Sequence, residues 1–88
     1  MKKEEKKVFP PVVKVLGNRI KQVINTKPLI QKNVAHDADL DVENLRKYMR
    51  GGQEMKISTL LRIANALQMT SSDLLKGIEE EIENYKSS

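Results

Sequence analysis

Few side chains in this chain could carry chemistry, and their types point away from catalysis. The single histidine, His36, has no cysteine to work with and no serine–carboxylate arrangement of the triad kind nearby. The four glycines, Gly17, Gly51, Gly52 and Gly77, do not stand in a phosphate-loop spacing. With no cysteine there is also no disulfide framework and no thiolate metal site. The acidic run from Glu79 to Glu83 reads as one solvated helix face, not a cluster of ligands. Neither a metal nor a cofactor is therefore expected. What remains is a set of charged and amide side chains between Gln31 and Lys56, with Arg46, Lys47 and Arg50 at its centre. Such groups make hydrogen bonds and neutralise charge, the chemistry of recognition.

The charge balance says what would be recognised. The net charge is +4 and the pI about 9.4, which favours a polyanionic partner. Thirteen of the sixteen Lys and Arg lie in residues 1–56 against seven of the twelve acids, an excess of six positive charges; residues 57–88 are net −2. Aromatic residues are only 3%, too few to stack on a series of unpaired bases. No apolar run is long enough for a membrane span or a signal peptide. A cytoplasmic protein without a membrane partner is expected.

The elements that must position these residues are helices; no window alternates at period two for long enough to make a strand. Gln31 to Arg50 organises the rest. Val34, Ala35 and Ala38 fall on one helical face, and Leu45 and Tyr48 repeat the spacing after the break Ala38-Asp39-Leu40-Asp41. Two short helices, 31–38 and 42–50, joined by a tight turn and sharing an apolar inner face, make a helix-turn-helix. Ala35 is the small residue that lets the helices cross. Asp39 is expected at positive φ, which Asp tolerates better than most residues. Asp41 is the N-cap of the second helix, and Gly51-Gly52 stop it. The first has Ile30 at its cap, with no side-chain acceptor, so its leading amides are left to water or an anion. Val42, Glu43, Arg46, Lys47 and Arg50 point outwards.

Around this pair, residues 1–9 read as a flexible charged tail, and Pro11 starts a helix of about 11–25. Its inner face is Val13, Leu16, Ile20, Val23 and Ile24; its opposite face carries Lys14, Arg19, Lys21 and Gln22. Lys27-Pro28 ends it. A fourth helix, about 57–67, presents Ile57, Leu60, Leu61, Ile63, Ala64 and Leu67 as a broad core stripe. Thr70 and the serines after it cap a fifth helix, in which Leu74, Leu75, Ile78, Ile82 and Tyr85 recur at threes and fours to the chain end. The domain proper is then 10–77. Residues 78–88 extend helix five beyond what a small core covers, so Ile78, Ile82 and Tyr85 are expected to form a homodimer interface.

Leu16 to Leu75 resembles the lambda-repressor/Cro-like helix-turn-helix family, often called the XRE family of bacterial and phage regulators. The resemblance is carried by LGNRI at Leu16–Ile20, Gln31, Ala35, the apolar set above, Arg50-Gly51, and LLRIANAL at Leu60–Leu67 followed by SSDLL. It implies an all-α, compact five-helix domain that binds double-stranded DNA, usually as a dimer on a palindromic operator. It also implies that Gln31, Lys32, Arg50, Gln53 and Lys56 lie along the DNA phosphates, and that Val42, Glu43, Asn44, Arg46 and Lys47 lie at the base-reading face. In chemical terms Lys47 suits guanine acceptors, Val42 a thymine methyl and Glu43 the cytosine amino group; Arg46, Arg50 and Lys56 suit phosphate. The chain departs from the pattern at Ile30, Asp39 and Met55. It departs too at Ile24 and Met49, where the family commonly pairs an Arg with a Glu; both charges are missing together, and the two apolar residues are expected to touch.

The expected function is a sequence-specific, duplex-DNA-binding transcriptional regulator, a repressor, reading the major groove with helix 42–50 as a dimer. The alternative is a protein-interaction adaptor or antitoxin component on the same fold, with a toxin or polymerase as partner. An enzyme is the weakest reading.

Overall fold

The computed structural model describes residues 8–87, so all but the last two residues of the tail expected at 1–9 lie outside the described residues. The helices are α1 (Pro11–Thr26), α2 (Gln31–Asp37), α3 (Val42–Met49), α4 (Ile57–Ala66), α5 (Ser71–Leu74) and α6 (Ile78–Ser87), and no strand occurs among the described residues. The first five make the expected all-α, five-helix arrangement, with α2 and α3 as the helix-turn-helix. Ile20, Leu45, Ile63, Leu67 and Leu74 are the largest fully buried side chains. They come from α1, α3, α4 with its C-cap, and α5, so one shared core orients all four. Each such burial contributes roughly 1.5–3 kcal/mol.

The turn between α2 and α3 closes as its residues predict. Asp39 has φ +61°. Its N–H donates to the His36 carbonyl at 3.0 Å, and the Leu40 N–H donates to the Ala35 carbonyl at 2.8 Å, the paired bonds of a Schellman ending. The ends of α3, at Gly51 with φ +76°, and of α4, at Gln68 with φ +63°, repeat the pattern. Only one of the three uses glycine; at Asp39 and Gln68 the surrounding contacts hold a side-chain-bearing residue there. Asp41 occupies the N-cap of α3 without a side-chain bond, whereas Thr70 accepts from the Asp73 N–H at 3.0 Å and caps α5.

Three expectations change. Helix five does not run to the chain end: it stops at Leu74, Gly77 has φ +72°, and α6 starts afresh at Ile78. Arg19 explains the break. Its Nη1 donates to the carbonyls of Leu74 at 2.8 Å and Lys76 at 2.9 Å, and its Nη2 meets Glu81 Oε2 at 2.6 Å. These carbonyls would otherwise bond amides of a continuing helix. Second, α6 folds back on α1. Ile78 is buried and Ile82 half-buried within the chain, and only Tyr85 of the expected dimer stripe is exposed. The three therefore do not form a free surface. Third, Ile57 and Leu61 are 74% and 50% exposed. The stripe of α4 is wider than the face its neighbours cover, and Ile63, Ala64 and Leu67 take the inner side.

Gly17 sets the distance between α1 and α3. A Cβ there would fall 2.7 Å from the Met49 carbonyl oxygen and still closer to that of Tyr48. The end of α3 thus rests directly on the α1 backbone. Ile24 and Met49 are both buried and belong to the same core cluster.

Candidate nucleic-acid interface

α3 presents a split surface. Leu45 and Met49 are buried, and Tyr48 packs against the core. Glu43, Asn44, Arg46, Lys47 and Arg50 are exposed on the opposite side. This follows from helical spacing: with Leu45, Tyr48 and Met49 at i, i+3 and i+4 on the inner face, i+1 and i+2, Arg46 and Lys47, fall on the outer one. Val42 is half-buried and packed against the core, so it offers less free apolar surface than its place at the start of α3 suggests.

The polar groups of this face are already partly connected. Arg46 Nη1 pairs with Glu43 Oε2 at 2.9 Å, and its Nε donates to Gln31 Oε1 at 3.1 Å. One guanidinium thereby links the first turn of α3 to the first residue of α2. It holds Glu43 in place and turns the Gln31 amide nitrogen away from itself, free to donate outward. Because both partners are exposed, the pair adds little stability; its effect is on orientation. Arg46, expected among base readers, is therefore occupied with its neighbours. Asn44, Lys47 and the Arg50 guanidinium carry no such ties among the described residues, so they remain the free polar groups of the face.

The flanks behave as the sequence suggests in part. Ile30 caps α2 without a side-chain bond and is 61% exposed, and Lys32 is exposed beside it. In the loop after α3, the Gln53 side chain donates to the Glu54 carbonyl at 3.3 Å, and Lys56 is exposed at the N-cap of α4. His36 is exposed beside Asp37, 3.6 Å away. No group of acids and histidines among the described residues is placed to hold a metal ion, and no helix among them is long and apolar enough to cross a membrane.

One wall of the interface went unread in the sequence. An open cleft of about 300 Å³ lies between α1 and α3, lined by Lys14, Asn18, Lys21, Gln31, Arg46, Met49 and Arg50. Lys14, Asn18 and Lys21 stand at i, i+4 and i+7, one face of α1; that spacing was the available signal. Which element they would border was not legible, since it depends on the close approach at Gly17. Lys14 also donates to the Arg50 carbonyl at 3.2 Å, closing the end of α3.

Comparison with known proteins agrees with this geometry. Residues 19–80 match the model of the Cro/C1-type HTH DNA-binding domain. No curated protein matches the chain. Among solved structures, the clp gene regulator ClgR from Corynebacterium glutamicum is similar with a TM-score of 0.79 at 16% identity, covering 94% of this chain and 85% of that one. The restriction-modification controller protein C.AhdI from Aeromonas hydrophila is similar with a TM-score of 0.68 at 24% identity, covering 75% and 98%. The controller protein C.Esp1396I, solved as a tetramer with its natural 35 base-pair operator, is similar with a TM-score of 0.75 at 20% identity, covering 86% and 97%. At these identities the likeness is one of fold.

Proposed function

Because this chain belongs to the Cro/C1-type helix-turn-helix DNA-binding domain family, we propose that it is a sequence-specific, duplex-DNA-binding transcriptional regulator. It reads the major groove with residues 42–50 and acts as a homodimer. The observation that carries this reading is the outward face of α3, where Asn44 and Lys47 are exposed and untied while Arg46 orients Glu43 and Gln31 on either side. Base edges are read by such groups, and the flanking Gln31, Lys32, Arg50, Gln53 and Lys56 suit phosphate. Repression needs only occupancy of the operator, so it is the simplest action for such a surface. Cytoplasmic placement follows from the partner.

Selection of bound sequences from a random duplex pool, followed by titration at several salt concentrations, tests the reading. A recovered motif with a steep salt dependence is expected; equal weak binding to every duplex would overturn it. Within that experiment Lys47 and Arg50 should separate. Lys47→Ala relaxes preference at one position of each half-site, costing about 1–2 kcal/mol, the lower part of the range for base contacts because Lys offers a point charge instead of a bidentate fork. Arg50→Ala weakens all sequences alike and flattens the salt slope. The same uniform loss for both would sink this division.

The proposed dimer uses α4 in place of α6. Ile57 and Leu61 stand one turn apart, exposed, directly after the loop that ends at Lys56. A second copy seated there would set two reading helices beside each other on one duplex, and C.Esp1396I, of the same fold, is described as a tetramer on its operator. Leu61→Lys should shift the chain towards monomer in sedimentation equilibrium without lowering its melting temperature, since the side chain is half in solvent. An unchanged distribution would exclude this face.

A further inference from the structure

We propose that Lys14 of α1 is a positioning residue for sequence reading: its ammonium fixes the C-terminal end of α3, and with it the direction of Lys47 and Arg50. The proposal rests on the DNA-binding reading above and names a residue on which its selectivity depends.

The helix ends of this fold share one device. α2, α3 and α4 each end at a residue of positive φ, Asp39, Gly51 or Gln68. The C-cap carbonyl just before it, of Ala38, Arg50 or Leu67, receives no backbone N–H among the described residues. Each receives a basic side chain from another element instead: Arg62 Nε at 2.9 Å, Lys14 Nζ at 3.2 Å and Lys27 Nζ at 2.8 Å. Arg19 does the same around the end of α5. Such carbonyls carry the negative pole of their helix, so a cation is the donor that suits them. Lys14 and Arg19 belong to α1, and Lys27 is its C-cap. α1 is thus the frame on which the ends of α3, α4 and α5 are set.

Lys14 differs from the other three in what it holds, since α3 presents Lys47 and Arg50. The backbone contact at Gly17 fixes how near the last turn of α3 comes to α1. One contact sets a distance and leaves a helix free to tilt about it. The Lys14 bond, one turn of α1 away from Gly17, supplies a second point. Its stem is itself held: a Cβ at Gly51 would fall 2.9 Å from Lys14 Cδ and 3.2 Å from Lys14 Cα. The loop leaving α3 therefore lies against Lys14, which is half-buried. Arg50 gives its carbonyl to Lys14 while its side chain stays exposed, so the capped residue is also one that faces the duplex. Lys14 acts on recognition through α3, without touching a base.

The test uses the full chain with Lys14→Met, which keeps an aliphatic stem and removes the ammonium, and Lys14→Arg, which keeps a cationic donor. Lys76→Met, at an exposed lysine away from α3, controls for the loss of one charge. Affinity is measured for a selected operator and for an unrelated duplex, well below every melting temperature. A cation at an exposed helix C-terminus biases a conformation by about two- to fivefold, and affinity falls with the competent population. The ratio of operator to unrelated affinity is expected to fall by that factor in Lys14→Met, to recover in Lys14→Arg and to be unchanged in Lys76→Met. An equal loss on both duplexes with a shallower salt slope would make Lys14 a phosphate contact and overturn the proposal. An unchanged ratio, or one that Lys14→Arg fails to restore, would overturn it too. A second arm needs no DNA: the Gly51 amide nitrogen shares its peptide group with the Arg50 carbonyl, so its resonance should move in Lys14→Met and return in Lys14→Arg. A Gly51 resonance that stays in place would show that the cap is absent. Failure of the wild-type chain to bind any duplex would instead overturn the proposed function and the reading role of Lys14 with it, while the Gly51 resonance still decides whether the cap exists.

Discussion

Ile24→Arg is expected to destabilise the protein by about 3–5 kcal/mol, the cost of a buried charge with no partner. Ile24 is 2% exposed near the end of α1 and sits in the central core cluster. An Arg there has no carboxylate among its cluster neighbours, and it cannot escape by losing its proton. Met49→Glu should cost less than Ile24→Arg. Met49 is buried, yet it also lines the cationic cleft with Lys14, Lys21, Arg46 and Arg50, so the new carboxylate is not without partners. The double variant restores the ion pair common in the family and should recover much of the Ile24→Arg loss. Chemical denaturation of the four proteins gives the coupling directly. A coupling near zero would show that residues 24 and 49 do not meet within the cluster.

Gly17→Ala should lose close to 3 kcal/mol, the upper part of the range for overpacking. On propensity alone the change would gain up to about 1 kcal/mol, because Gly17 lies inside a sixteen-residue helix. The tertiary contact reverses the sign. The added methyl meets two backbone carbonyl oxygens, of Tyr48 and Met49, and backbone at the end of a helix cannot rotate aside as a side chain could. Either α1 and α3 separate, opening the core around Ile20 and Leu45, or α3 shifts. The second response would also weaken DNA binding by moving Lys47 and Arg50, so denaturation and operator titration should fall together. A stabilised protein would show that the two helices slide apart at no cost.

Much of this architecture is legible in the chain. Apolar residues at threes and fours set the inner faces of α1 to α4, because a helix that leaves such a stripe in water loses the burial that stabilises it. Pro11, Gly51 and Thr70 mark ends through local backbone chemistry, and Asp39 does the same at the sharp turn. The outward set on α3 follows from the inward set. For the same reason Lys14, Asn18 and Lys21 could be seen to share a face, though not to face α3.

What only the tertiary structure decided concerns features whose energy comes from residues far apart in the chain. The spacing of Leu74, Leu75, Ile78, Ile82 and Tyr85 fits one continuous helix equally well; Arg19, more than fifty residues earlier, takes the Leu74 and Lys76 carbonyls and divides it at Gly77. The division lets α6 turn back on α1 and cover Ile78 and Ile82. Periodicity likewise could not say how wide a stripe the core would cover, so Ile57 and Leu61 read as buried although they lie in solvent. Local propensities set which face of each helix is apolar. Which neighbour meets that face, and how closely, is set by packing at single sites such as Gly17, where the absence of one methyl group lets α1 and α3 form the walls of a common cleft.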